Sequence, residues 1–138
     1  MDLFSKLRNM KILIIDDDEW IRDSLRIFFE AEGCHVVVLE TAEEGLVELK
    51  YQAYDLVIVD YKLPGLDGIE FLKRTHDELS DAMKVLITAY RTDSVISEAR
   101  MLKIQGFIEK PFTSESLMAS LAHLIEMREF RNRRKVKG

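Results

Sequence analysis

The sequence predicts an α/β protein with one parallel five-stranded sheet and helices on both faces. Three observations carry that expectation. Apolar runs of about four residues, rich in β-branched side chains, occur at regular intervals. Each run is followed by a segment with helical apolar spacing, and strands that alternate with helices pair in parallel through right-handed crossovers. The third is size: 138 residues suit one domain with a full core, whereas a closed barrel of such units needs about 250. The expected class is therefore an open, doubly wound (βα)5 sandwich of three layers.

Taken in order, the first strand is Ile12-Leu13-Ile14-Ile15, ending in Asp16-Asp17-Asp18. Ile21, Leu25, Phe28 and Phe29 then recur at helical spacing from Glu19 to Glu32, with Asp18 as cap and Gly33 as stop. The second strand runs from Cys34 to Leu39. Thr41 and Glu44 form a Thr-x-x-Glu capping box, a cap residue of this type contributing about 1 kcal/mol. It opens a helix with Leu46 and Leu49 inward. Leu56 to Asp60 is the third strand, apolar throughout until its last residue, as in a strand buried on both faces. The next turn contains Pro64-Gly65 and Asp67-Gly68, and a helix with Ile69 and Leu72 inward follows from about Asp67 to Asp77. Val85 to Thr88 is the fourth strand, and its helix, about Thr92 to Lys103, has a thin stripe of Val95, Ile96 and Ala99. The last strand is Gly106 to Glu109. After Lys110-Pro111-Phe112, Thr113 caps a helix carrying Leu117, Leu121 and Leu124 on one face.

Composition narrows the function classes. Hydrophobic residues make up 47% and charged residues 33%, as in a soluble globular domain. No apolar run approaches the roughly 18–20 residues of a membrane span. The segment Met1–Arg8 has no secretory core, and Cys34 is the only cysteine, so no internal disulfide forms and a cytoplasmic location is expected. The net charge of −5 hides an asymmetry. Arg128, Arg131, Arg133, Arg134, Lys135 and Lys137 against Glu129 give residues 128–138 a net +5, which leaves −10 on residues 1–127. We expect an N-terminal extension over 1–9, a domain over 10–127 and a basic tail or linker over 128–138. The tail reads first as a solvated helix extension or linker. Direct nucleic-acid binding is not expected, because no helix-turn-helix, zinc or RNA-binding motif accompanies the charge.

In open parallel sheets ligands sit beyond the carboxyl ends of the strands, at the point where strand order reverses. With the flavodoxin-like order 2-1-3-4-5, that point lies between the first and third strands. The strand ends carry Asp16 and Asp17, Asp60, Thr88 and Lys110. A single carboxylate at a strand tip reads as a turn cap, and Asp18 reads as a helix cap. Three carboxylates together repel, by about 4 kcal/mol for each pair at ~4 Å and an effective dielectric near 20. A hard divalent cation that keeps several waters, Mg²⁺ (or Mn²⁺), offsets this. A carboxylate beside such a cation, a lysine and a hydroxyl is chemistry for accepting a phosphoryl group.

In these residues the chain resembles the receiver domain of two-component response regulators, over about residues 10–127. The resemblance rests on Asp16-Asp17 after Ile-Leu-Ile-Ile, Asp60 followed by Leu63-Pro64-Gly65-Leu66-Asp67-Gly68, Thr88-Ala89 and Lys110-Pro111-Phe112. It implies that Asp60 is the phosphoacceptor, and that Asp16, Asp17, Asp60 and the main-chain carbonyl of Lys62 hold the metal, Asp16 largely through water. Lys110 would pair with the phosphoryl group, its bond to Pro111 being cis. Thr88 and Phe107 would form the coupled switch that alters the face of the fourth helix, fifth strand and fifth helix. Phe107 also reads as ordinary packing on the last helix. The partners implied are a sensor histidine kinase or histidine phosphotransfer protein, an output domain or downstream protein, and a homodimer formed on phosphorylation. Such a chain is a signalling module that catalyses only its own phosphorylation and dephosphorylation. Lys62 and Tyr90, two residues beyond Asp60 and Thr88, flank the approach of water and are expected to tune the phosphoryl lifetime.

Two other classes fit less well. A nucleotide or flavin enzyme on this fold needs a glycine-rich loop after the first strand, where this chain has Asp17-Asp18-Glu19-Trp20. A phosphatase resembling haloacid dehalogenases places a second Asp two residues after the nucleophile, at the position of Lys62. A degenerate receiver would lack Asp60, Lys110 or the acidic pair, and all are present. His35, His76 and His123 are scattered, with no ligand spacing. Leu3, Phe4 and Leu7 form one amphipathic turn too short to stand alone; it docks or frays.

Overall fold

The computed structural model describes residues 2–137, with side chains to residue 134. Five strands form one parallel sheet: β1 (Lys11–Ile15), β2 (His35–Leu39), β3 (Leu56–Asp60), β4 (Met83–Thr88) and β5 (Gly106–Glu109), in the order β2-β1-β3-β4-β5. The alternation of β3 splits the core. Leu56 and Ile58 join one apolar cluster, and Val57 and Val59 the other. α1 (Leu3–Leu7), α2 (Glu19–Ala31) and α6 (Ser114–Lys137) cover the first cluster. α3 (Ala42–Tyr51), α4 (Gly68–Arg74) and α5 (Asp93–Met101) cover the second. The expected three-layer sandwich is the observed architecture.

Helix ends follow local chemistry. Asp18 caps α2 by accepting from the amides of Trp20 and Ile21. At the other end Gly33, at φ +79°, closes a Schellman motif: the Gly33 amide donates to the Glu30 carbonyl and the Cys34 amide to that of Phe29. Using the Cys34 amide in this stop delays β2 by one residue, to His35 rather than Cys34. Both halves of the Thr41–Glu44 capping box are present. α4 ends at Arg74 rather than near Asp77. Its apolar stripe runs out at exposed His76, and a turn instead brings Leu79 into the core.

The terminal segments also have definite positions. α1 docks: Leu7 is fully buried, Leu3 and Phe4 pack on the first cluster, and the Phe4 and Phe28 rings are 5.7 Å apart. Lys6 Nζ is 2.6 Å from Glu129 Oε1 on α6. α6 continues without a break through residue 127 as a 24-residue helix. Arg131, Arg133 and Arg134 are exposed on it. The side chains of Lys135 and Lys137, part of the expected basic tail, lie outside the described residues, as do Met1 and Gly138. Among the described residues, no helix is long and apolar enough to cross a membrane.

Candidate functional site

Three strand ends deliver the central groups. β1 pairs with β3 in register Ile15↔Val59, so the next residue of each strand, Asp16 and Asp60, emerges at the same edge. One carboxylate oxygen from each of Asp16, Asp17 and Asp60 lies within 4.8 Å of the others. Asp16 is fully buried and Asp60 nearly so, while Asp17 is exposed. From the end of β5, Lys110 Nζ lies 2.9 Å from Asp60 Oδ2 and 3.2 Å from Asp16 Oδ2. The Lys110–Pro111 peptide is cis.

The charges do not balance. Asp16 Oδ1 accepts from the Asp18 amide at 2.9 Å, but buried Oδ2 accepts no hydrogen bond despite its proximity to Lys110. Burial pushes the Asp16 carboxyl up to about 6. The Asp18 amide opposes that shift, the Asp60 carboxylate adds to it, and Lys110 opposes it. Burial alone would lower the Lys110 ammonium. Its hydrogen bond to Asp60 and the attraction of both carboxylates overcome that and hold it above the ordinary lysine value. An orphaned buried oxygen beside two further carboxylates is an all-oxygen donor set with excess negative charge, and it fits a hard divalent cation.

The remaining expected residues surround this cluster. Thr88 is buried at the tip of β4, and its Oγ1 accepts from the Tyr90 amide at 2.8 Å. Among the described residues its O–H donates to no partner. Lys62 donates its amide to Asp60 Oδ1 at a long 3.4 Å, and its ammonium stands 5.2 Å from the centroid of the Tyr90 ring. The stack joins the loops after β3 and β4 across a cleft of about 540 Å³ that contains Asp17, Asp60 and Lys110 in its walls. Phe107 is set back along β5, paired with Leu86 and half-buried, with the Arg91 guanidinium 5.6 Å from its ring centroid. Trp20, at the start of α2, is 83% exposed.

Close approach explains the glycine of Asp67-Gly68. A Cβ at Gly68 would lie 2.2 Å from the Asp60 carbonyl oxygen, so the loop folds back onto the strand that ends in Asp60 only with glycine there. Two positioning residues escaped the sequence reading. Arg22 Nη1 donates to the Asp16 carbonyl at 2.9 Å, and Glu43 Oε2 accepts from the Leu66 amide at 3.1 Å, which tethers the loop after Asp60 to α3. Both occupy ordinary polar positions on helices, and no local pattern marks them.

Comparison with known proteins agrees with this geometry. The family model described as the response regulator receiver domain matches residues 12–122. Chemotaxis protein CheY-3 of Vibrio cholerae is 34% identical over 124 residues, covering 86% of this chain and 94% of that protein. Transcriptional regulatory protein FixJ of Bradyrhizobium diazoefficiens is 34% identical over 118 residues, covering 86% of this chain; the chain spans only 58% of FixJ. A CheY-like receiver domain protein of Methanospirillum hungatei has a solved structure that superposes with a TM-score of 0.75 at 29% identity. That match covers 93% of this chain and 98% of the other. By family match and near full-length likeness to a chemotaxis regulator, this chain belongs to the response regulator receiver domains.

Proposed function

We propose that Asp60 accepts a phosphoryl group from the phosphohistidine of a sensor histidine kinase or histidine phosphotransfer protein. The observation that carries this reading is Lys110. Its ammonium lies 2.9 Å from Asp60 and 3.2 Å from buried Asp16, so a cation already stands where phosphoryl oxygens would gather. An Asp60 carboxylate oxygen bonds to phosphorus as the P–N bond breaks. The electron pair of that bond returns to the imidazole nitrogen, which takes up a proton. Lys110 pairs with the transferred oxygens, and the Thr88 O–H donates to one of them. Asp16, Asp17, Asp60 and the Lys62 main-chain carbonyl would hold Mg²⁺ (or Mn²⁺), which supplies positive charge to the phosphoryl oxygens.

On phosphorylation Thr88 moves toward the new group and Phe107 turns inward, which shifts the population of states on the face made by α5, β5 and α6. That face addresses an output domain, a downstream protein or a second copy of the chain, in the cytoplasm. Residues 10–127 form the module, 1–9 extend it and 128–138 act as tail or linker. The Lys62–Tyr90 stack restricts water, so the phosphoryl group is long-lived. Decay of the adduct should be several-fold faster in the Lys62→Asn, Tyr90→Glu double variant, and equal decay would remove the stack from the explanation.

Incubation with Mg²⁺ and phosphoramidate, followed by intact-mass spectrometry, tests the central step. The wild-type chain should gain one phosphoryl group, whereas Asp60→Ala and an EDTA-treated sample should gain none. No adduct on the wild type, or an equal adduct on Asp60→Ala, would overturn the reading.

A further inference from the structure

The amino end of the sheet carries a second charged concavity. Met83, which opens β4, pairs with Leu56 at the start of β3, roughly 13 Å along the strand from Asp60 at a rise of about 3.3 Å per residue. The loops leading into β4 and β5 and the far part of α6 enclose about 330 Å³ there. Asp81, Lys103, Gln105, Arg128, Arg131 and Asn132 supply the polar walls.

Lys84 is not a lining residue: alternation along β4 turns it to the sheet face opposite Met83, which does line the pocket, yet it feels the charges of Arg128, Lys103 and Asp81. It is the second residue of β4 and only 3% exposed, yet its ammonium has one hydrogen bond, to the Ala82 carbonyl at 3.3 Å. Ala82 itself contributes to the pocket wall. Among the described residues, none of the ion pairs involves Lys84, Lys103, Arg128 or Arg131. Arg128 is fixed instead by a main-chain group, donating from Nη2 to the Asp81 carbonyl at 2.8 Å. Burial lowers the Lys84 ammonium, and the charges of Arg128 and Lys103 lower it further against the opposing Asp81 carboxylate. Three cations of the pocket wall, Lys103, Arg128 and Arg131, thus face one carboxylate, Asp81, in a chain whose net charge is −5. Lys103, Arg128 and Arg131 repel one another where they converge, and an anion placed between them offsets that.

We propose that this concavity binds a small phosphate-bearing anion. Arg128, Arg131 and Lys103 contact its oxygens, with forked guanidiniums suited to two of them at once, while Lys84 adds charge from the other face of the sheet. A nucleic-acid backbone calls for an extended positive stripe; here the charges converge on a pocket. The site does not depend on phosphorylation of Asp60.

Amide chemical shifts of the full 138-residue chain, titrated with pyrophosphate in Mg²⁺-free buffer, test the assignment, with NaCl at matched ionic strength as control. Saturable shifts should appear at residues 80–83, 103–105 and 128–132, and NaCl should not reproduce them. Lys84→Met should weaken the dissociation constant at least tenfold. Lys103→Gln with Arg131→Gln, both at exposed positions, should do the same if Lys84→Met fails to fold. The proposal is overturned by the absence of saturation, by equal shifts in NaCl, or by variants that stay within twofold of the wild type. It is also overturned if duplex DNA shifts this region while pyrophosphate does not.

Discussion

The two ends of the sheet carry opposite charge problems. At the carboxyl end, three carboxylates gather, two of them paired with one lysine, and buried Asp16 keeps an oxygen without a hydrogen bond. At the amino end, Lys84 is buried with one long hydrogen bond, within reach of the charges of Arg128, Lys103 and Asp81. The same β-sheet supplies rigid, fully buried strands between them. Neither end is arranged for maximal stability of the bare chain, because each leaves a buried charge short of partners. The difference lies in what neutralises each. Lys110 already offsets part of the acidic end from within the protein, while among the described residues the basic pocket is lined by a single carboxylate, Asp81.

The largest effect should come from removing the cation that compensates the acidic end. Lys110→Ala strands Asp16 and Asp60 together, and should cost about 3 kcal/mol of stability in metal-free buffer, read by urea denaturation. A loss near zero would mean that the two carboxylates are already relieved by solvent and that the acidic end is not under charge stress.

Asp16→Asn should act in the opposite direction, raising the metal-free Tm by about 3 °C or more while weakening Mg²⁺ binding. The gain depends on pH in a defined sense. Asp16 ionises near 3.8 in the unfolded chain and near 6 when folded, so the folded wild type takes up its proton first as pH falls. Its handicap is therefore present at pH 7.5 and disappears as pH drops through 6 toward 4. The Tm gap between variant and wild type should narrow over that range; a constant gap would assign the effect to something other than ionisation.

The smallest of these effects belongs to the basic end. Lys84→Met replaces a buried ammonium by a side chain of similar length and should raise stability by about 1 kcal/mol. With Asp16→Asn it would make the two ends equivalent: each loses ligand affinity and gains stability when its buried charge is removed. A destabilised Lys84→Met variant would break the parallel and make Lys84 a structural residue.

Much of the acidic end was legible in the sequence because strand tips are fixed by local pattern. β3 and β5 have the expected bounds, Asp18 and Thr41 cap the expected helices, and the expected strand order puts Asp16, Asp17 and Asp60 together. The basic end was not legible. Lys84 lies just before the apolar run Val85–Ile87, and a lysine at a strand start reads as solvent-facing, whereas it is buried. Glu43 and Arg22 were missed for a related reason, since each acts on a main-chain group of another element. The basic tail was read as a solvated helix extension or a linker, and the helix runs on to Lys137, Glu, Arg and Lys being strong helix formers.

That helix has a geometric consequence. It starts four residues after Lys110 and carries Arg128 and Arg131 to the opposite end of the sheet. Its 24 residues make a rod roughly 36 Å long at about 1.5 Å per residue. Pivoted at its first turn, such a rod amplifies motion: a tilt of about 10° at Ser114 carries the far end through roughly 6 Å. A displacement too small to see beside Lys110 would be a full helical turn at Lys137.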